Sequence, residues 1–163
     1  MRLWTLMTPT HATPGSTLTL PSDTEILIER AFRAPRALVW RAFTDPSLVP
    51  KWMGPAEFPM TRCEMDVRPG GKFLYQWGGV QGHQMPGEFI EVDAPRRLVY
   101  VDTGDTPSHI TVTFTQEKDG RTLVALHARM PSKAARDEIL ATGWSEGTEL
   151  TYVHLDALLA SLA

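Results

Sequence analysis

Hydrophobic and polar positions alternate with a period of two from residue 58 to 130, and recur every three to four residues on either side. A period of two shows successive side chains to opposite faces of a strand, whereas three-to-four spacing gathers them on one helical face. The alternation predicts strands over Phe58–Val67, Lys72–Trp77, Gly87–Val92, Leu98–Asp102, His109–Gln116 and Thr122–Met130. Turn residues fill the gaps: Pro69-Gly70-Gly71, Gly78 to Pro86, Asp93-Ala94-Pro95, Gly104 to Pro107 and Lys118-Asp119-Gly120. Connections this short favour an antiparallel meander.

Before the meander, Glu25–Phe32 predicts one more strand. Ala34-Pro35 then opens a helix, because proline suits the first helical turn, and Leu38, Val39, Ala42 and Phe43 share its apolar face with Trp40 at the edge. Asp45-Pro46 ends this helix and caps a second short one, Ser47 to Trp52, which Gly54-Pro55 stops. After Pro131, Ser132 caps a short helix to about Leu140, and Gly143 separates it from a last helix reaching Leu162. Trp144, Thr148, Thr151, Leu155, Leu158, Leu159 and Leu162 form the apolar stripe of that helix. The order predicts an α+β roll: a curved antiparallel β-sheet wrapped around a long C-terminal helix, with two short helices after the first strand. Residues 1–21, rich in Thr and Pro and without a sustained period, read as an N-terminal extension, and 22–163 as one domain.

The hairpin from Cys63 to Trp77 points to function. One strand carries Arg62, Glu64, Asp66 and Arg68 on its wet side, most simply a solvated row of weak ion pairs. The other carries Phe73, Tyr75 and Trp77 on a single face, which must cover something. The reading is a ligand cavity closed by the C-terminal helix. A dry void of about 300 Å³ would cost about 7 kcal/mol, comparable with the stability of a whole domain, so such a cavity holds a ligand or water, or is much smaller.

Composition narrows the alternatives. With 163 residues and a net charge of −3 there is no basic footprint for nucleic acid. No apolar run reaches the length of a membrane span, and the opening Met1–Met7 lacks a signal-peptide pattern, which leaves cytoplasmic residence as the default. A single cysteine excludes a disulfide framework, and the five histidines show no metal-ligand spacing, so neither a metal nor a cofactor is expected. No nucleophile-elbow sequence supports acyl-enzyme chemistry.

The runs Phe32 to Trp40, Phe43-Thr44-Asp45-Pro46 and Lys51-Trp52-Met53-Gly54-Pro55 resemble the SRPBCC (START-like) superfamily. Asp66 to Gly71, Gly87 to Val92, Pro95 to Val99, Thr111 to Phe114 and Leu155 to Leu159 extend the resemblance over roughly residues 24 to 162, to the branch of homologues of the activator of heat-shock protein ATPase. The resemblance implies a helix-grip fold with a hydrophobic cavity between sheet and long helix. It departs at Met53, where many relatives carry a second tryptophan; a methionine makes a softer wall.

The expected function is non-enzymatic binding of a hydrophobic small molecule or lipid. The expected lining is Trp40, Trp52, Met53, Met65, Phe73, Tyr75, Trp77, Phe89, Tyr100, His109, Trp144, Thr148 and Thr151. Two alternatives stay open. One is a co-chaperone-like domain that binds a chaperone-type partner through an outer surface such as the Arg62–Arg68 row. The other is a cyclase- or hydrolase-type enzyme that steers a substrate in the same cavity with Tyr75, His109 or Glu91. Homodimer formation is open as well.

Overall fold

The computed structural model describes residues 15–54, 57–79 and 82–163. Its strands are β1 (Ser16–Thr19), β2 (Glu25–Phe32), β3 (Met60–Met65), β4 (Lys72–Trp77), β5 (Gln84–Asp93), β6 (Arg97–Asp102), β7 (Ser108–Gln116) and β8 (Thr122–Arg129). All eight lie in one antiparallel sheet, in the order β1-β2-β8-β7-β6-β5-β4-β3. The helices are α1 (Arg36–Thr44), α2 (Lys133–Ala141) and α3 (Trp144–Leu162), with a 3-10 turn at Val49–Lys51. The curved sheet around a long C-terminal helix is the α+β roll that the periodicity predicts.

The phase along each strand decides what faces α3. In β2 the buried positions are Ile26, Ile28, Arg30 and Phe32, alternating with half-exposed neighbours. The same rhythm buries Ile110, Val112 and Phe114 of β7 and Thr122, Val124, Leu126 and Ala128 of β8. At the other end of the sheet the phase is reset by bulges, between Met60 and Arg62 in β3 and between Phe89 and Glu91 in β5. Strict alternation from Met60 or from Phe89 would have turned Cys63, Met65 and Val92 outward. Onto this concave face α3 lays Tyr152, Leu155 and Leu159, while it packs along α1, α2 and the 3-10 turn.

Two expectations change. Ser16–Thr19, read as part of an extension outside the fold, pairs with β2, with Ser16 opposite Arg30 and Leu18 opposite Ile28. Three Ser or Thr residues around one leucine carry too little apolar alternation to announce a strand. Residues 1–14 of that extension lie outside the described residues. The second helix shrinks to the 3-10 turn. There Pro50 lacks the N–H to continue a helical ladder, and Trp52 has left helical geometry at φ −132°. Asp45 meanwhile accepts the N–H and the hydroxyl of Ser47 at 2.8 and 2.7 Å, which makes a local turn.

The β3–β4 hairpin is tied into the sheet through its glycines. Gly70 N–H donates to the Phe89 carbonyl, and Phe89 N–H donates to the Gly71 carbonyl, both at 2.8 Å. A Cβ on Gly71 would overlap the Asp66 carbonyl oxygen, which is backbone and cannot step aside. Gly71→Ala is therefore expected to cost about 1–3 kcal/mol through overpacking, read as a lower denaturation midpoint with an unchanged denaturant slope.

Candidate functional site

Cross-strand pairing gathers rings on the concave face of β4, β5 and β6. Phe73 stands opposite Met65 and Gly87, Tyr75 opposite Cys63 and Met85, and Phe89 opposite Tyr100. The Phe73 ring centroid lies 4.9 Å from Tyr75, 5.2 Å from Phe89 and 5.4 Å from Tyr100. Trp77 extends the strip, 6.1 Å from Tyr75, and its indole N–H donates to the Met53 carbonyl at 3.0 Å. Gly54 permits this contact: it sits at φ +107°, and a Cβ there would overlap the Trp77 indole.

A second set of rings covers the helical side. Phe43 lies 4.8 Å from Trp52 and 5.1 Å from Phe114, and Trp40 lies 5.3 Å from Phe114. Tyr152 of α3 meets Phe32 edge-on at 5.4 Å and Trp52 at 6.3 Å. The Trp52 indole N–H is satisfied by the Ala42 carbonyl at 2.9 Å. Of the expected lining, then, Trp40 and Trp52 belong to this set, and Phe73, Tyr75, Trp77, Phe89 and Tyr100 to the first. Met53, Met65 and Trp144 are partly buried against the core. Thr148 and Thr151 turn their hydroxyls onto the backbone of α3, to Trp144 O at 2.9 Å and Thr148 O at 2.8 Å.

His109 is not brought to this interior. Register sets it opposite Val101 and Arg129, between inward Ser108 and Ile110, so its ring is on the convex face. The strand begins one residue earlier than its apolar pattern announced, and Ser108 holds the inward position. Glu91, the other expected steering group, faces outward and pairs with Arg97 at 3.0 Å. The Arg62–Arg68 row is likewise outside and paired within itself, Arg62 with Glu64 at 2.6 Å and Arg68 with Asp66 at 2.8 Å.

Two inward residues escaped the sequence reading. Arg30 is buried on β2, with Nη1 on Glu149 at 3.0 Å, Nη2 on Asp156 at 3.5 Å, and its guanidinium 5.3 Å over the Phe32 ring. Tyr152 is 1% exposed, and its hydroxyl has no hydrogen-bond partner among the described residues. The available signal was a spacing: Glu149, Tyr152 and Asp156 stand three and four apart, on one helical face.

Burial pushes the Tyr75, Tyr100 and Tyr152 phenols above the ordinary tyrosine range, and neighbouring phenols add to the effect for Tyr75 and Tyr152. The same cause pushes the Cys63 thiol up to about 11. All of these groups are neutral hydrogen-bond donors near pH 7. Among the described residues no group of His, Cys, Asp or Glu side chains could hold a metal ion, and no helix is long and apolar enough to cross a membrane.

Residues 33–160 match the family model described as activator of Hsp90 ATPase homolog 1-like protein. The chain belongs to this AHSA1-like family. The branch lies in the SRPBCC superfamily, as the helix-grip arrangement requires. A crystal structure of a Rhodobacter sphaeroides protein is similar at 28% identity, with a TM-score of 0.83, over 91% of this chain and 99% of that one. A Mycobacterium smegmatis protein is similar at 30% identity and TM-score 0.78, over 90% and 97% of the two chains. The solution structure of an AHSA1-like protein from Aeromonas hydrophila shares 25% identity at TM-score 0.70, over 82% and 93%. None of the functionally curated proteins matches the chain.

Two outcomes test the electrostatics of this AHSA1-like interior. Alkylation of Cys63 by iodoacetamide is expected to rise about tenfold per pH unit from about pH 7 to 10, since only the thiolate reacts; a plateau near pH 8.5 would show an ordinary thiol. Asp102 has its carboxyl pushed up by burial, partly offset by the Gly104 N–H at 2.8 Å. A folded-state pKa above the unfolded one means that stability falls as pH rises from the ordinary carboxylate range through the folded pKa, and stays lowered above it. Asp102→Asn should therefore raise the thermal midpoint at about pH 7, with the gain vanishing near pH 3.

Proposed function

We propose that this protein binds a hydrophobic small molecule or lipid, without chemical conversion, between the concave face of its sheet and α3. The observation that carries the reading is the strip of Phe73, Tyr75, Trp77, Phe89 and Tyr100 on one concave face, with Met65 and Cys63 beside it. Large rings and a methionine offer wide apolar contact area with few directional demands, which suits a greasy ligand. The phenols and the thiol at this strip favour binding over proton transfer, because a general acid or base works best with a pKa near the working pH. Tyr75, Tyr100 and Cys63 have all been moved away from it. Membership of the AHSA1-like family agrees with a cavity-forming fold.

Native mass spectrometry on freshly purified protein, followed by organic extraction, is expected to yield a co-purified apolar compound. Added apolar compounds should raise the thermal midpoint of the extracted protein, since a ligand at 100 times its Kd adds about 2.7 kcal/mol to stability. A broad apolar panel that shifts nothing, together with a clean apo mass, would remove the proposal.

A further inference from the structure

We propose that the Tyr152 hydroxyl is the recognition donor of the interior and binds an uncharged carbonyl oxygen, such as that of a ketone or ester, on an otherwise apolar ligand. This inference rests on the interior-binding reading above and specifies the chemistry of its ligand. The phenol is almost fully buried and its oxygen has no partner among the described residues. A buried polar group left unpaired costs about 1–3 kcal/mol, and phenylalanine would fill the same volume without that loss. An unmatched hydroxyl at the centre of a core is therefore best explained by a partner that arrives from outside the chain.

Its position supports this. The ring rests edge-on against Phe32 of β2 and tilts against Trp52, so the side chain leaves α3 toward the concave face. Tyr100 on β6 bears on the phenol, as do Glu149 and Arg30. Strands β2 and β6 are separated by β8 and β7, a span of about 14 Å at ~4.8 Å per strand. Tyr152 stands at the β2 end of that span, in ring contact with Phe32 and Trp52.

The surroundings select the ligand. All three tyrosines of the chain face this interior, Tyr75 and Tyr100 from the sheet and Tyr152 from the helix. A phenol is a stronger donor than acceptor, and burial keeps all of them protonated. A donor-rich interior is complemented by an acceptor. Charge is disfavoured: both Nη atoms of Arg30 are taken by Glu149 and Asp156, so an anionic head near α3 would meet two carboxylates against one guanidinium.

The test uses benzophenone and diphenylmethane, which share a shape and differ in one carbonyl. Equilibrium dialysis of the full chain and of Tyr152→Phe against each probe is expected to show benzophenone binding weakened about tenfold by the substitution, and diphenylmethane binding unchanged within about twofold. The ligand-free Tyr152→Phe protein should melt at or above the wild-type midpoint. Equal effects on both probes, or no effect on either, would overturn the Tyr152 role while leaving interior binding intact. A midpoint several degrees lower would also overturn it, by showing that the hydroxyl already has an internal partner. Wild-type protein that binds neither probe would remove the interior-binding reading and this inference together.

Discussion

Arg30 projects from β2 beneath α3 and holds Glu149 and Asp156, which stand about two turns apart on that helix. Tyr152 lies between them on the same face. Burying a guanidinium is expensive, and removing one partner leaves a bare charge, so breaking the set costs more than its net contribution to stability. The consequence is geometric: α3 has one rotational setting on the sheet. That setting sends Tyr152, Leu155 and Leu159 inward and leaves Leu150 and Val153 in solvent. What the concave face encounters across the interior follows from this one anchoring.

The sequence shows where each element lies more readily than it shows which way each side chain turns. β2, β4 and the α2–α3 corner were legible because alternation, the Ser132 cap and Gly143 agree; Ser132 accepts the Ala135 N–H at 3.1 Å, and Gly143 adopts φ +84°. The outward face of His109 was carried by the alternation itself, since Ile110, Val112 and Phe114 set the inward phase wherever the strand begins. The line of contact on α3, by contrast, was blurred. Leu150, Thr151, Tyr152 and Val153 are consecutive and all have apolar surface, so no single stripe dominates. Arg30 breaks the apolar phase of β2, and nothing in the sequence nearby shows that its partners sit more than a hundred residues later.

The two ring sets differ in kind. On the helical side, Trp52 has its N–H bonded and Phe43, Phe114 and Trp40 interlock within 4.8 to 5.3 Å, which is how a solid core is built. On the sheet side, Phe73 sits at the centre of a strip drawn from three adjacent strands. A strip of this kind depends on register more than on local packing, so the pairing of β4 with β5 and of β5 with β6 decides its composition.

That dependence gives the bulge at Phe89–Glu91 a wider meaning. Ile90 is the residue it spares from the ladder, and the side chain stands 49% exposed on the outside of the molecule. Loss of Ile90 would close the bulge and leave Phe89 and Val92 inward and Glu91 outward, with every strand keeping its neighbours. The extra residue is taken up on the outer skin of the sheet, so the strand can change length by one there without altering which side chains look toward α3.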